Sequence, residues 1–170
     1  MPLPPRTLAA LVAVADRLDR AGVPWLLAGG AGRALQGAAH RPADIDVEVS
    51  AEHADVAARA LGFALTRDSG GGMTSLRAGG SIADTWVDLS AGIAVTGRLE
   101  ADWALQWAWA VPCSAGGRTV MAAPVEEALA RAIVRGDWAR IARLAAGGGP
   151  PPRPDYLARR LSSAISNATL

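Results

Sequence analysis

The sequence predicts an α/β (α+β) protein, in which a mixed β-sheet is flanked by helices and followed by a short C-terminal helical extension. Two patterns and the composition lead to this fold class. Asp44–Val49 alternates polar and apolar residues with the period of two that is typical of a strand. Helical periodicity precedes this segment and dominates again from Pro124 onward. With 51% hydrophobic and 19% charged residues, the 170-residue chain can bury a substantial core.

The N-terminal part of the chain predicts a helix, a strand and a second helix. The first helix follows Pro4–Pro5 and ends near Gly22, because apolar residues recur there at helical spacing. A signal peptide is the alternative, but the apolar run is short and the helical pattern continues beyond it. The apolar run Val23–Ala28 predicts a buried strand, and Ala31–Ala39 predicts a helix directly after Gly29–Gly30.

The middle of the chain predicts a helix followed by short strands. Ser50 is a suitable N-cap for a helix through Leu61, and Gly62 is a suitable C-cap. We expect a strand at Phe63–Thr66 and a loop at Gly70–Gly72. Two further strands are expected to meet in a hairpin turn: Met73–Arg77, then the turn Gly79–Gly80, then Ile82–Leu89.

The C-terminal half predicts mainly helix. Glu100–Ala110 is rich in tryptophan at helical spacing, and these side chains are expected to pack in the core or at a dimer seam. Pro124–Ala146 reads as one or two helices, Gly147–Pro154 as a linker, and Tyr156–Ile165 as a last short helix. We therefore expect a core over residues 1–92, a helical extension packed on it over 93–146, and a linker with a terminal helix over 147–170.

Charge and cysteine content exclude several classes of function. All seventeen basic residues are arginine, and sixteen acidic residues leave a formal charge of +1, which argues against a long nucleic acid as partner. The single cysteine, Cys113, forms no disulfide within the chain, and with only two histidines a structural Cys/His zinc site is excluded. No apolar run reaches the length of a membrane span, so we expect a cytoplasmic protein.

The acidic side of the strand Asp44–Val49 is the first candidate site. Its period of two places Asp44 and Asp46 on one face, about 7 Å apart along the strand. Two carboxylates on one face are suited to binding divalent cations such as Mg²⁺, which prefer oxygen ligands. The alternative is a solvated acidic face, and Glu48 continues that face.

The glycine turn before this strand is the second candidate site. Glycines allow a tight backbone turn, and the helix that follows Gly29–Gly30 offers free N–H groups to a phosphate. A dinucleotide-binding fingerprint is incomplete, because Leu35 stands where its third glycine belongs, and no Walker-type loop is present. A turn that serves only helix packing is the remaining alternative.

Together these segments resemble nucleotidyltransferases of the DNA polymerase beta superfamily. The resemblance lies in Leu26-Leu27-Ala28-Gly29-Gly30, a short helix, and Asp44-Ile45-Asp46-Val47, and it covers about residues 7–90. Trp86-Val87-Asp88-Leu89 supplies the third carboxylate that this family carries on a later strand, with Asp84 in reserve. The chain is most similar to the small aminoglycoside-nucleotidyltransferase or minimal nucleotidyltransferase type.

The resemblance implies a metal-dependent enzyme that transfers NMP from an NTP, such as ATP, to an acceptor hydroxyl on a small molecule or a protein. Asp44, Asp46 and Asp88 would be the catalytic residues and would bind two Mg²⁺ ions. Nucleotide binding would fall to the two glycines and two arginines: Gly29, Gly30, Arg33 and Arg41. Because the chain has no lysine, Arg77 and Arg131 are further candidates for contacting the triphosphate.

Two alternatives and one possible assembly stay open at this point. Gly29-Gly30-x-x-Arg33 also occurs in enzymes that add nucleotides to RNA ends, although the balanced charge argues against such a substrate. A non-catalytic nucleotide-binding or toxin–antitoxin partner with the same fold is the other alternative. A homodimer could supply an acceptor wall that so short a chain lacks, and no membrane is expected to take part.

Overall fold

The computed structural model describes residues 3–95 and 101–167. The helices are α1 (Pro5–Arg20), α2 (Gly29–Leu35), α3 (Ala54–Leu61), α4 (Glu126–Arg135), α5 (Trp138–Ala146) and α6 (Pro154–Asn167). The strands are β1 (Leu26–Leu27), β2 (Asp44–Val49), β3 (Thr66–Gly70), β4 (Met73–Ile82), β5 (Thr85–Val95), β6 (Ala101–Asp102), β7 (Val111–Ala115) and β8 (Arg118–Ala122). Within these ranges, every helix is too short or too polar to cross a membrane.

The strands form one mixed sheet, as the sequence predicted. Seven of them lie in the order β3-β4-β5-β2-β1-β8-β7, and β6 pairs with β5 outside this path. The pairs β2–β5 and β1–β8 are parallel, whereas the remaining pairs are antiparallel. In the β2–β5 register Asp46 lies opposite Asp88, so the two strands that carry the candidate carboxylates are direct neighbours.

The two faces of β2 separate the core from the candidate site. Ile45, Val47 and Val49 are fully buried and join the main apolar cluster, to which α1, α3 and the neighbouring strands contribute. The alternate residues Asp44, Asp46 and Glu48 therefore point to the opposite face. The strand with the clearest alternation in the sequence thus fixes where the core lies and where the carboxylates lie.

The hairpin between β4 and β5 turns four residues later than the sequence predicted. β4 continues through Gly79–Gly80, and the turn is made by Ala83–Asp84, both of which have a positive φ. Gly79 and Gly80 therefore lie within the strand, where they allow aromatic rings to pack closely against the backbone. A Cβ on Gly79 would lie 2.9 Å from the ring of Trp86, and one on Gly80 would lie 2.4 Å from the ring of Phe63.

The predicted helix at Glu100–Ala110 is wrong over the residues that the structure describes. Glu100 itself lies outside them. Trp103 follows β6, and Trp107–Trp109 form a single 3-10 turn. The expectation that the tryptophans serve packing holds for Trp103, which is buried.

The hairpin of β7 and β8 lies inside the segment 93–146 that was expected to be helical. It turns at Gly116–Gly117, both with a positive φ, and β8 pairs with β1. This segment therefore extends the central sheet before the C-terminal helices begin. Two smaller differences concern β3, which begins only at Thr66, and β1, which is limited to Leu26–Leu27.

A buried ion pair joins β2 to α4. Arg131 donates two hydrogen bonds to the Glu48 carboxylate, at 2.6 and 2.7 Å, and both side chains are largely buried. One turn earlier on α4, Glu127 accepts a hydrogen bond from Trp103 Nε1 at 2.6 Å and another from the Tyr156 hydroxyl of α6. Arg160 Nε of α6 lies 3.0 Å from the same carboxylate. These contacts attach the C-terminal helices to the sheet through charged groups.

We predict that Arg131→Met destabilises the protein, because it leaves Glu48 charged and buried without a partner. Breaking one side of such a pair costs about 3–5 kcal/mol of unfolding free energy, which denaturant titration at neutral pH would measure. Arg159→Met, at an exposed position of α6, is the control and should stay within about 0.5 kcal/mol of the wild type. Adding Glu48→Gln should recover part of the loss. If Arg131→Met and Arg159→Met had the same unfolding free energy, the result would contradict a structural role for the pair of Glu48 and Arg131.

Candidate active site

A cleft of about 540 Å³ lies between the acidic face of β2 and helix α4. The β3–β4 hairpin forms one end of the cleft, and the start of α2 forms the other. The charged residues that line it are Arg33, Asp44, Asp46, Glu48, Asp68, Arg77, Glu127, Arg131, Arg135 and Arg140. Five predicted site residues therefore lie at the same concave surface: Gly29, Gly30, Arg33, Asp44 and Asp46.

Asp46 is the most strongly perturbed carboxylate in the cleft. Burial raises its pKa to about 6, and repulsion from Asp44, Asp88 and Glu48 adds to this rise. A hydrogen bond from the backbone of Gly30 opposes it. The crowding of negative charge follows directly from the strand register, since Asp44 and Glu48 flank Asp46 on one face and Asp88 lies opposite on β5.

Asp88 lies beside this group but is held by two side-chain donors. Its Oδ1 accepts a hydrogen bond from Arg77 at 3.1 Å, and its Oδ2 accepts one from Trp86 Nε1 at 3.0 Å. Arg77 also donates to Asp68 at 3.1 Å, so its guanidinium lies between two carboxylates. Trp86 therefore contacts the third carboxylate directly.

The donor chemistry at Asp44 and Asp46 fits a hard divalent cation. In residues 3–95 and 101–167, no side-chain donor is hydrogen-bonded to either carboxylate, and no three His, Cys, Asp or Glu residues are grouped as a metal site. Oxygen ligands and unrelieved negative charge favour Mg²⁺ at this pair. Asp88 accepts one hydrogen bond at each oxygen, and each oxygen keeps a further lone pair for a metal ion.

The glycine turn is packed directly against these carboxylates. Gly29 has φ +57, and a Cβ there would lie 1.6 Å from Asp46 Oδ2. A Cβ on Gly30 would lie 2.5 Å from His40 Nε2. Helix α2 begins at the glycines and not, as predicted, at Ala31. Both glycines are therefore required by close contacts within the candidate site.

Of the two arginines predicted to bind the nucleotide, Arg33 lines the cleft. Its Nε donates to the Gly29 carbonyl at 3.2 Å, and its pKa is lowered by burial and by repulsion from Arg140. Arg41 is exposed and does not line the cleft. Arg131, another candidate for the triphosphate, is bound to Glu48 instead.

Sequence reasoning missed Arg140, which approaches Arg33 from α5. Arg140 lies too far along the chain for any local motif to link it to the glycine turn. A second cavity, of about 610 Å³ and lined more by apolar groups, shares Arg33, His40, Val125 and Arg140 with the cleft. The two cavities therefore adjoin at the two arginines.

Comparison with known proteins agrees with this geometry. The sequence model of the aminoglycoside-2''-adenylyltransferase family matches residues 10–70, which include Gly29, Gly30, Asp44 and Asp46. A crystal structure from Thermotoga maritima, provisionally assigned as a nucleotidyltransferase, superposes with a TM-score of 0.72 at 19% identity. The match covers 85% of this chain and 93% of the Thermotoga maritima chain. The protein has a nucleotidyltransferase fold.

The antibiotic-resistance factor ANT(2'')-Ia has the same fold in two structures. Its solution structure gives a TM-score of 0.55 at 12% identity, over 94% of this chain and 91% of its own. Its crystal structure with adenylyl-2''-tobramycin gives a TM-score of 0.55 at 14% identity, and the match covers 94% of this chain and 97% of the ANT(2'')-Ia chain. No curated protein sequence matches the chain.

These findings confirm the resemblance and the fold class that the sequence predicted for this nucleotidyltransferase-like chain. They also support the prediction that it is an enzyme, without specifying a substrate. The matched segment, 10–70, ends before Asp88, so the assignment of the third carboxylate remains a prediction.

We predict that Asp46→Asn stabilises the protein at pH 8. An aspartate whose pKa is raised on folding loses stability as pH rises from about 4 to 6, because the folded state must give up a proton that it holds more tightly. The neutral amide should therefore raise the unfolding free energy at pH 8 by about 1–3 kcal/mol, and by less at pH 4.5.

Denaturant titrations at the two pH values measure this difference. Asp84→Asn, in the exposed turn between β4 and β5, is the matched control and should change stability little at either pH. A destabilising Asp46→Asn at pH 8, or an effect of equal size at both pH values, would contradict the crowding of charge around Asp46.

Proposed function

We propose that this protein is a metal-dependent nucleotidyltransferase that transfers NMP from an NTP to an acceptor hydroxyl. The observation that carries the proposal is the position of Asp46, which lies beside Asp44, opposite Asp88 and in contact with the glycine turn. A nucleotidyltransferase fold without these carboxylates would not support the same proposal, since fold alone does not determine function.

Asp44 and Asp46 would hold Mg²⁺, and Asp88 would complete the set that binds two ions. When bound, such ions neutralise phosphate charge and align the attacking and leaving oxygens for an in-line displacement. The pKa of Asp46, which burial raises first and repulsion from neighbouring carboxylates raises further, supports this assignment, because a divalent cation would relieve that repulsion. Proton uptake at Asp46 below about pH 6 would compete with the ions.

Arg33 and Arg140 would contact the triphosphate of the NTP. Their mutual repulsion is relieved by an anion, and Arg33 lies one turn from Gly29 on α2. The backbone of Gly29 and Gly30 would approach the phosphates closely, as glycines permit. Arg41 would contribute only if nucleotide binding moves it toward the cleft, since it is exposed outside it.

Asp88 Oδ1 would accept the proton of the acceptor hydroxyl after Arg77 releases it. The bond from Arg77 is also the observation that favours the alternative, a non-catalytic nucleotide-binding protein in which Asp88 stays occupied. Transfer of labelled nucleotide distinguishes the two functions, because the alternative binds Mg²⁺–NTP without turnover.

The acceptor would be a small molecule of low positive charge. ANT(2'')-Ia carries an adenylylated aminoglycoside in its crystal structure, which supports a small-molecule acceptor. In the cleft, however, Glu48, Glu127 and Asp68 are each paired with arginine. Ammonium groups of a polycationic acceptor would therefore compete with the metal ions for Asp44 and Asp46. A protein hydroxyl and a homodimeric arrangement remain compatible proposals.

We predict Mg²⁺-dependent transfer from at least one labelled NTP to an acceptor in a panel of hydroxyl compounds, with EDTA abolishing it. Asp44→Asn, Asp46→Asn and Asp88→Asn should each reduce the rate by at least about 10²-fold, because each removes a carboxylate from the reacting centre. Asp55→Asn, at an exposed position of α3, is the matched control and should retain wild-type transfer. Unchanged transfer in Asp46→Asn would exclude the mechanism, whereas NTP binding without turnover would support the non-catalytic alternative.

A further inference from the structure

The side chain of Trp86 is exposed to solvent beside the third carboxylate of the candidate site. The residue is 52% exposed, whereas Trp103 of the same chain is buried in a core cluster. Exposure of a single apolar side chain is common on protein surfaces and does not by itself indicate a binding site. What distinguishes Trp86 is the place where its ring lies and the contacts that hold the ring there.

Trp86 lies on the face of the sheet that carries the candidate catalytic carboxylates. It is two residues before Asp88 on β5, and the β2–β5 register places it opposite Asp44. Because side chains alternate along a strand, the indole projects from the same face as these carboxylates. In the sheet order β2 lies between β5 and β1, so Trp86 and the glycine turn that follows β1 are on opposite sides of β2.

Two contacts hold the indole of Trp86 in place. Its Nε1 donates a hydrogen bond to Asp88 Oδ2 at 3.0 Å. The other part of the ring packs against Gly79 of β4, where a Cβ would lie only 2.9 Å from Trp86 Cζ2. Any other residue at Gly79 would therefore push the ring away from the strand. A side chain that is already held in this way loses little further freedom when a ligand binds to it.

A held and half-exposed indole offers a flat apolar surface on which a ring can stack. Stacking of this kind contributes to the binding of aromatic rings and nucleobases in many proteins. The ring nitrogen of Trp86 is hydrogen-bonded to Asp88, which the proposed function makes the acceptor of the hydroxyl proton. A ring that stacks on Trp86 therefore brings its own hydroxyl substituents next to this carboxylate, whereas an acyclic hydroxyl compound has no flat face to stack.

The nucleobase of the NTP is the other ring that could occupy this surface, but the direction of the reaction favours the acceptor. Gly29 and Arg33, which would hold the phosphates, belong to the turn and helix that follow β1. In an in-line displacement the attacking oxygen and the leaving pyrophosphate lie on opposite sides of the reacting phosphorus. With pyrophosphate on the β1 side of β2, the attacking hydroxyl approaches from the β5 side, where Trp86 and Asp88 lie.

We propose that Trp86 is the surface on which the acceptor stacks, and that the acceptor is a hydroxyl compound with a flat ring face, either an aromatic ring or the apolar face of a sugar ring. The proposal rests on the proposed function in taking Asp88 as the group that receives the proton of the acceptor. Trp86 selects which hydroxyl compounds bind, whereas the carboxylates carry out the transfer.

The test is saturation-transfer difference NMR on the full chain, without nucleotide or metal, with three neutral hydroxyl compounds as probes. Benzyl alcohol carries an aromatic ring, methyl β-D-glucopyranoside carries a sugar ring, and glycerol is acyclic. At least one of the two cyclic compounds should receive saturation from the protein, and glycerol should receive none. The cyclic compound that binds more tightly distinguishes an aromatic acceptor from a sugar acceptor.

Three variants assign this binding to the ring of Trp86. Trp86→Leu should weaken binding of the cyclic compound by at least about fivefold, the lower end of what stacking contributes. Trp86→Phe keeps an aromatic ring but lacks the N–H, and it should bind within about threefold of the wild type. Trp138→Leu removes an indole that is 74% exposed on α5, and as the matched control it should bind within about twofold of the wild type.

A measurement on the wild-type chain keeps the test decisive if Trp86→Leu does not fold. The indole N–H resonance of Trp86 is the one that is missing from the spectrum of Trp86→Phe. It should shift when the cyclic compound is added to the wild type, and the indole resonance that is missing from Trp138→Leu should not shift.

The proposal would be overturned if neither cyclic compound received saturation, or if Trp86→Leu bound as tightly as the wild type. An equal loss in Trp86→Phe and Trp86→Leu would overturn it too, because the effect would then come from the N–H group and not from the ring. Weaker binding of Mg²⁺–ATP to Trp86→Leu, with unchanged binding of the cyclic compound, would assign the surface to the nucleobase instead.

These binding results are independent of nucleotide transfer. A chain that binds a cyclic compound through Trp86 but transfers no NMP would refute the proposed function alone. A chain that transfers NMP to an acceptor with the same acceptor KM in the wild type and in Trp86→Leu would refute the role of Trp86 alone.

Discussion

The ion pair between Glu48 and Arg131 is the interaction on which the arrangement of the candidate site depends. Glu48 is the last of three carboxylates on one face of β2, and it is the one that the protein neutralises internally. Through Arg131 it fixes α4 over that face, and Glu127 in turn holds Trp103 and the residues of α6. Together with the apolar packing of Ala130 and Val134 in the second core cluster, this pair holds the helix that forms one wall of the cleft.

In the part of the chain that the structure describes, the other two carboxylates of β2 form no ion pair, which gives the site its chemical character. Asp46 is buried against the glycine turn and repelled by its neighbours, so its ionised form lowers the stability of the folded chain. A strongly raised pKa of a buried carboxylate in a cleft is typical of functional sites. The same face of one strand thus contains a carboxylate paired with Arg131 and two carboxylates whose repulsion a bound cation would relieve.

The parts of the fold that could be predicted from sequence are those in which local pattern and tertiary environment agree. β2 was predicted with its observed bounds because its alternation places apolar residues in the core, and Gly62 has the left-handed conformation expected of a helix C-cap. Gly29, Gly30, Asp44 and Asp46 could be identified because their chemistry is local to one strand–turn–helix–strand unit.

The errors occurred where contacts distant in sequence decide the conformation. Gly79–Gly80 is a good turn by composition, but the rings of Trp86 and Phe63 occupy the space beside it and β4 continues. The hairpin at Gly116–Gly117 is an exception, because its Gly-Gly pair is a local turn pattern, but the helical spacing of the tryptophans before it led to a prediction of helix. The partners of Arg131 and Asp88, and the approach of Arg140 to Arg33, depend on packing between separate elements and leave no local signature.

The most direct test of the central claim is the melting temperature of the wild-type chain with each NTP, in Mg²⁺ and in EDTA. If Asp44 and Asp46 hold the metal that the nucleotide requires, at least one NTP should raise the melting temperature in Mg²⁺ and have no such effect in EDTA, because only a bound ligand stabilises the folded state. A rise of equal size in EDTA, or no rise with any NTP in Mg²⁺, would contradict the assignment of this face of β2 as a metal–nucleotide site.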